Sequence, residues 1–376
     1  MKVLELTNFS AGGCGVYARV KAESELLSKH HDVRIFSSNL VKGSIATAPQ
    51  TEKIGKVLIK RFPAIKLGGE SFMYWNFSKA AQSYKPDIIV AHGYRHLHTT
   101  QALKIGKKMN IPVLLVTHAP FVEKDATRTY IEKTAVKIYD HTVGQRTINK
   151  FAKVAIISLW EKEYLKKLKV KNSKIVYLPN GISEEYFIGK PKEGIQRVLF
   201  LGRVSPIKDL ETLIKAITLT KNNLNLEIVG PIEKDYGENL RALIKNLNVQ
   251  KRVTFHGAVY NLSKKIKIID KSILFVLPSK KEGMPQALIE AMARERIVLA
   301  ADNQGCRAII KTGVNGYLFK VGNEKDLAEK IDKAIESKTQ IIRKNARESV
   351  KEYLWPVIIK KIETAIKESI SQLKNT

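Results

Sequence analysis

Cysteine is almost absent from these 376 residues: Cys14 and Cys306 stand far apart, with no Cys-x-x-Cys and no His-rich partner segment. Two isolated thiols exclude a disulfide scaffold and a Cys/His metal centre, and they fit a reducing, cytoplasmic compartment. Long apolar runs are missing too. No stretch of about 18 uncharged apolar residues occurs, so no membrane-spanning helix is expected. The opening Met1-Lys2-Val3-Leu4-Glu5-Leu6 carries a charge inside a short apolar run, which reads as a buried strand rather than a signal peptide. Several signatures of chemistry are lacking: Asp-x-Asp, Gly-x-x-x-x-Gly-Lys-[Ser/Thr], His-Glu-x-x-His and Gly-x-Ser-x-Gly. No metal or other cofactor is therefore expected, and any diphosphate would rest on side-chain cations and a helix end. Acidic residues are few, 36 Asp and Glu against 65 Lys and Arg, a formal charge of +29. Such a field suits nucleic acid, an acidic membrane surface or a phosphorylated ligand, and a merely Lys-rich solvated surface accounts for it equally well.

What is present is an alternation of short β-rich apolar runs with amphipathic helical stretches, the α/β signature. Strands are expected at 3–6, 33–37, 88–91, 113–117, 154–158 and 175–178, with helices at 16–29, 72–84, 97–109 and 128–150. Phe187–Gly194 is rich in Gly, Pro and Lys and reads as a linker. A second series follows, with strands at 198–201, 226–229, 253–255, 274–277 and 297–300. The length and the 44% hydrophobic content suffice for two cores. The expected division is a Rossmann-like domain over 1–187, a second over 195–350, and a helical segment over 351–376. Two such doubly wound sheets are expected to face each other across a cleft.

The strongest motif is Glu282-Gly283-Met284-Pro285-Gln286-Ala287-Leu288-Ile289-Glu290, between an apolar strand and a helix. Pro285 suits a first helical position, and the helix start can receive phosphate oxygens. Glu282 and Glu290 are eight residues apart and can face one site, where carboxylates accept hydrogen bonds from vicinal hydroxyls. Ordinary surface acids are the plainer reading of such a pair. Next comes Gly202-Arg203-Val204-Ser205-Pro206-Ile207-Lys208, whose two cations can flank a diphosphate and stabilise it as it leaves. In the first half, Gly12-Gly13-Cys14-Gly15 forms a turn between strand and helix. Gly13-x-Gly15-x-x-Ala18 matches part of a dinucleotide fingerprint, but Phe36-Ser37-Ser38 supplies no acid at the second strand end, which argues against NAD. The turn can admit an acceptor or a phosphate to the backbone, and a purely structural turn is an equal reading. His92 and His118 close strands, where α/β sites gather, and His118 before Ala119-Pro120 is the stronger candidate.

Taken in order, these motifs resemble the retaining GT-B-fold glycosyltransferases of family 4, the group 1 transferases, over nearly the whole chain. The likeness is most specific at Arg203–Lys208, at Glu282–Glu290 and at Asn315-Gly316-Tyr317-Leu318-Phe319. It implies a metal-independent hexosyl transfer from a UDP- or GDP-sugar to a glycan, lipid-linked or small-molecule acceptor. Arg203 and Lys208 would hold the diphosphate and Glu290 the ribose. Glu282, with the backbone at Gly283, Met284 and Gln286, would hold the sugar. Gly13 would lie near the phosphate or acceptor and His118 near the reacting centre, and the C-terminal helix would cross back onto the first domain. Three positions depart from the pattern: Asp209 in place of the usual Gly, Arg294-Glu295-Arg296 in place of Gly-x-Pro, and Ala308 in place of Glu.

A GT-B-fold nucleotide-sugar epimerase or phosphorylase is the near alternative. A nucleic-acid-binding protein is the distant one, carried by charge alone, since no binding motif and no Arg-interleaved aromatic stripe occurs and no nucleic-acid partner is expected. Lys53–Phe62 and Tyr164–Lys169 mix bases with apolar residues, as segments docking peripherally on an anionic inner membrane face do, although solvated faces explain them as well.

Overall fold

The computed structural model describes residues 1–120, 129–189, 195–337 and 339–374. Residues 190–194 of the expected linker and Arg128 of an expected helix lie outside them. The chain forms two compact units, Met1–Gly181 with Trp355–Thr376, and Ile182–Leu354.

In the first unit the strands are β1 (Lys2–Leu6), β2 (Asp32–Ser38), β3 (Thr51–Ile54), β4 (Val57–Phe62), β5 (Ala64–Lys66), β6 (Met73–Trp75), β7 (Ile88–His92), β8 (Val113–Val116), β9 (Lys153–Ile156) and β10 (Ile175–Tyr177). Eight of these, among the described residues, make one sheet in the order β10-β9-β8-β7-β1-β2-β4-β3. It is parallel except for β3, which runs antiparallel on β4. Continuous apolar runs such as Ile88-Ile89-Val90-Ala91 fit it because a parallel sheet is covered on both faces. Leu4, Leu6, Ile89, Ala91 and Leu115 share a core with Trp75, Phe77 and Phe151.

Three expectations change here. Residues 72–84 are not one helix: the helix is Ser78–Tyr84, preceded by β6, which pairs with β5. Met73 and Trp75 point inward and Tyr74 outward, so the period is two, not 3.6. Lys53–Phe62, read as a membrane-docking segment, is the β3–β4 hairpin. Val57 and Ile59 are fully buried against Val20 and Ile35. Arg61 is buried too, its guanidinium donating to Ser10 Oγ at 2.7 Å and Pro49 O at 2.9 Å. In Tyr164–Lys169 the apolar Leu165 and Leu168 also enter the core and leave only lysines outside. Neither segment has its buried apolar residues available to lipid. The helix expected over 128–150 runs over Tyr130–Tyr139 and Gln145–Ile148, with a π-turn at Asp140–Gly144 between them. Thr129 and Glu132 cap its start reciprocally.

The second unit holds β11 (Ile195–Leu201), β12 (Asn225–Val229), β13 (Val253–Phe255), β14 (Ser272–Leu277), β15 (Ile297–Ala301) and β16 (Tyr317–Phe319). All are parallel, in the order β13-β12-β11-β14-β15-β16. This is a doubly wound Rossmann-like sheet whose order reverses between β11 and β14, where such sheets bind ligands. The unit begins earlier than 195 and ends later than 350. Ile182 N–H donates to Tyr353 O at 2.7 Å, and Arg294 donates to Tyr186 O and Ile188 O, binding 182–188 into it. The last helix, Trp355–Lys374, belongs to the first unit and buries Ile358, Ile362, Ala365 and Ile366.

Candidate functional site

The carboxyl ends of β11 and β14 bring the two main motifs of the second unit together. After β11 the chain turns at Gly202 (φ +156°), against which Gly230 (φ +150°) packs. A Cβ on Gly230 would stand 1.8 Å from Gly202 O, so only glycine allows this approach. Arg203 then emerges 61% exposed and pairs loosely with Glu233 at 3.5 Å. A short turn, Pro206–Lys208, brings Lys208 Nζ to 2.6 Å from Glu282 Oε1, and Lys280 N–H bonds Ile207 O at 2.9 Å. Thus Lys208 and Glu282 meet, while Arg203 stands apart with its own acid.

Behind Glu282 lies Gly305, whose added Cβ would be 2.4 Å from Glu282 O and 2.7 Å from its carbonyl carbon. Asn303 holds that buttress by accepting from Cys306 N–H and donating to Ser279 O. The helix after the motif is Gln286–Ala293, with Pro285 at the N-cap and no side-chain cap. Pro285 therefore sits one position before the first helical residue, where its ψ of 89° is non-helical. Glu290 lies in the second turn, 7% exposed. Lys265 Nζ contacts both its oxygens, at 3.1 and 3.2 Å, and Tyr186 abuts it. Burial raises the Glu290 pKa against the opposing pull of Lys265. Burial, then Glu290 itself, raises that of the Tyr186 phenol. Lys265 and Tyr186 escaped sequence reasoning, since one is a lysine among several in its helix and the other sits before the linker.

In the first unit Gly12 (φ +83°) lies against Lys42, whose O would be 2.5 Å from an added Cβ. Gly12 is thus structural. Gly13 and Gly15 face open space, with nothing within 4 Å of an added Cβ, so a ligand can approach there. His118 follows β8 with φ +60°, and Ala119 with φ +51°. Such a left-handed pair without glycine needs external support. Glu161 supplies it, accepting from Thr117 Oγ1 at 2.5 Å and Ala119 N–H at 3.1 Å on one oxygen and from Ile157 and Ser158 N–H on the other. Burial raises the Glu161 pKa to about 7 against these bonds. His118 Nε2 lies 2.8 Å from His92 Nδ1, and His92 Nε2 lies 2.7 Å from Glu5 Oε2. Burial holds His92 down to about 4 and His118 well below the usual range, so both are neutral hydrogen-bonding groups, not cations.

Two family profiles match in succession, Glycosyltransferase Family 4 over residues 11–186 and Glycosyl transferases group 1 over residues 182–353. The chain belongs to the group 1 glycosyltransferases. In fold it matches sucrose-phosphate synthase from Thermosynechococcus elongatus with a TM-score of 0.79 at 17% identity, over 99% of each chain. It matches Anabaena HepE, solved in complex with UDP and glucose, with a TM-score of 0.74 at 18% identity, over 98% of this chain and 99% of that one. The GT-B fold class expected from the sequence is thus the fold it has. EpsD of Bacillus subtilis strain 168, named as a glycosyltransferase, is 31% identical over 145 residues, 38% of this chain and 37% of its own. The N,N'-diacetylbacillosaminyl-diphospho-undecaprenol alpha-1,3-N-acetylgalactosaminyltransferase of Campylobacter jejuni is 29% identical over 161 residues, 42% of this chain and 40% of its own. The chain thus spans well under two thirds of the length of either relative.

Within the group 1 glycosyltransferase frame, the three departures acquire physical readings. Asp209 has φ +50°, the conformation that favours the usual glycine, and its buried carboxylate accepts from Thr212 Oγ1 at 2.8 Å. Arg294, 3% exposed, forks onto Asp270 with two bonds of 2.8 Å and also donates to Tyr186 O and Ile188 O. Arg296, also buried, donates to Arg294 O and Ser272 O. Arg294 thus fastens the start of the unit, and Arg296 ties the same turn to Asp270 and Ser272. Ala308 is an exposed helix C-cap.

Proposed function

We propose that this chain transfers a hexosyl residue from a UDP- or GDP-sugar to a glycan or lipid-linked acceptor, with retention and without a metal. The observation that carries the reading is the half-buried Lys208–Glu282 pair at the switch point of a doubly wound sheet. Two roles follow from that pair. An incoming diphosphate competes for the Lys208 ammonium, and Glu282, released, accepts hydrogen bonds from sugar hydroxyls. Arg203, exposed and weakly held, folds onto the same phosphates as a planar fork. Glu290, already oriented by Lys265, accepts from a ribose. As the anomeric bond breaks, the diphosphate gains charge, and Arg203, Lys208 and the uncapped helix start at Pro285 stabilise it. The acceptor hydroxyl attacks on the face the phosphate leaves, and the departing phosphate oxygen takes its proton.

HepE, solved with UDP and glucose, supports a nucleotide-sugar donor, and the undecaprenol-linked acceptor in the Campylobacter relative's name supports a lipid-linked one. A cytoplasmic reaction fits such a donor, and no helix among the described residues is long and apolar enough to cross a membrane. On the first unit, the open turn at Gly13 and Gly15 and the neutral His118 are assigned to acceptor and sugar hydroxyls. The test is a mass-spectrometric screen of UDP- and GDP-hexoses for hydrolysis and transfer, followed by kcat for Arg203→Ala, Lys208→Ala and Glu282→Ala. Losses of about 10²–10³ are expected where a charge-stabilising donor is removed. Near-normal turnover in all three refutes the assignment.

A further inference from the structure

Three neutral groups on separate strands form one hydrogen-bonded line in the first unit. Glu5 in β1, His92 at the end of β7 and His118 just after β8 are joined by contacts of 2.7 and 2.8 Å. Glu5 and His92 are buried, and only the His118 end is partly open to solvent. Nδ1 of His118 meets no hydrogen-bond partner among the contacts of the described residues. The backbone around it is fixed from both sides: Glu161 holds Thr117 and Ala119, and Arg95 Nη1 donates to Pro120 O at 3.2 Å while its other nitrogens grip Asp140. A strained turn so firmly held presents one ring atom, Nδ1, in one place.

We propose that Glu5 and His92 are positioning residues that decide, through this line, whether His118 offers a hydrogen or a lone pair at Nδ1. Two arrangements satisfy the contacts. With a protonated Glu5, its O–H donates to His92 Nε2, His92 Nδ1–H donates to His118 Nε2, and His118 carries its hydrogen on Nδ1. With an ionised Glu5, His92 Nε2–H donates to the carboxylate, His118 Nε2–H donates to His92 Nδ1, and Nδ1 of His118 is bare. The two differ by one proton. It leaves from His118 Nδ1 as the Glu5 proton passes to His92 and the His92 proton passes to His118. A hydrogen at Nδ1 can donate to a sugar or phosphate oxygen, and a bare Nδ1 can only accept.

Burial, rather than the surrounding charge, favours the first arrangement at neutral pH. Burial raises the Glu5 pKa to about 8, with Arg19 opposing. Arg19 is itself held by Glu23, through Nε to Oε2 at 3.0 Å, and donates to Leu178 O at 2.7 Å. Although Glu5, Glu23 and His92 bring donor atoms within 4.8 Å of one another, Glu23 is engaged by Arg19 and His92 by its two neighbours, so the cluster works as a relay. Two further imidazoles lie nearby: His98 Nε2 meets His92 O at 2.9 Å and is held well below the usual range by burial, and His96 contacts Asn8 and is held down to about 4 by burial, with Glu70, Lys42 and Arg95 around it. Burial raises the Glu161 pKa to about 7, but its carboxylate bonds Thr117, Ala119, Ile157 and Ser158, not a His118 nitrogen.

The proposal deepens the assignment of His118 above and rests on it only for the consequence in catalysis. The test is long-range ¹H–¹⁵N correlation on the full chain labelled at histidine, from pH 6 to 9.5, with the His118 signals assigned by His118→Asn. In the unsubstituted protein Nδ1 of His118 is expected to pass from protonated to bare with a midpoint near pH 8. Glu5→Gln, which replaces a carboxyl already uncharged at pH 7, abolishes that step, and Glu161→Gln leaves it. A His118 tautomer that stays constant through the range, or a step that survives in Glu5→Gln, overturns the proposal. The pH profile of turnover, measured with the UDP- or GDP-hexose that the donor screen selects, separates the two readings. A lost tautomer step with an unchanged profile upholds the relay and removes His118 from the reaction.

Discussion

Gly305→Ala is the sharpest structural perturbation of the site that leaves every charge in place. The new Cβ would lie 2.4 Å from Glu282 O, 2.7 Å from its carbonyl carbon and 2.9 Å from its Cβ. Real Cβ contacts of that kind do not occur, and two of the three atoms are backbone. Gly305 is anchored by the Asn303 cap, so the Glu282 loop must give way. Overpacking of this kind costs about 1–3 kcal/mol. For a unit the size of Ile182–Leu354, each kcal/mol lowers Tm by about 2–4 °C. Catalysis should suffer more, because a displacement of about 1 Å can cost about 10²-fold. The Lys208–Glu282 distance of 2.6 Å leaves little slack for such a shift. Urea denaturation and kcat on the same preparation measure both effects. A variant with wild-type midpoint and wild-type turnover would refute the claim that Gly305 buttresses the carboxylate proposed to hold the sugar.

Gly13→Ala provides the converse case: its Cβ meets nothing within 4 Å, so stability should change by less than about 0.5 kcal/mol while acceptor KM rises. An unchanged KM would make that turn structural. Arg294→Met leaves Asp270 unpaired and should cost about 3–5 kcal/mol in denaturant unfolding, with Arg294→Lys recovering little because a point charge cannot replace the fork. Stability should also depend on pH through Glu5. Its folded pKa of about 8 exceeds the ordinary carboxylate value, so its contribution is complete below about pH 4.5 and is lost as pH rises through 8. Relative to the wild type, Glu5→Gln should therefore gain stability between pH 5 and 9, by at most about 5 kcal/mol, and parallel stability curves would contradict this.

The parts of the structure legible in the sequence are those written in neighbouring residues. Ile88–Ala91 and Val113–Val116 announce buried parallel strands because both faces are apolar, and the Arg203–Lys208 and Glu282–Glu290 loops each follow such a strand. The β3–β4 hairpin was hidden because Lys53, Lys56, Lys60 and Arg61 disguise its alternation, and one of those charges, Arg61, is buried on backbone and serine oxygens. Residues 72–84 misled because Met73 and Trp75 fit a helical stripe as well as a strand face. Nothing local could reveal the Glu5–His92–His118 line, whose members come from three strands, or the hold of Lys265 on Glu290. The departures at Asp209 and Arg294 show in sequence only as breaks in the family pattern, and in space they are a left-handed turn and a buried ion pair.

Calorimetric titration of UDP and GDP into the wild type and into Lys208→Ala tests the central claim most directly. The account predicts that one of the two nucleotides binds the wild type. Loss of a charged hydrogen bond of about 1.5–3 kcal/mol should then weaken binding to Lys208→Ala by about 10- to 150-fold. Equal affinity in both proteins, or no binding of either nucleotide to the wild type, would contradict it.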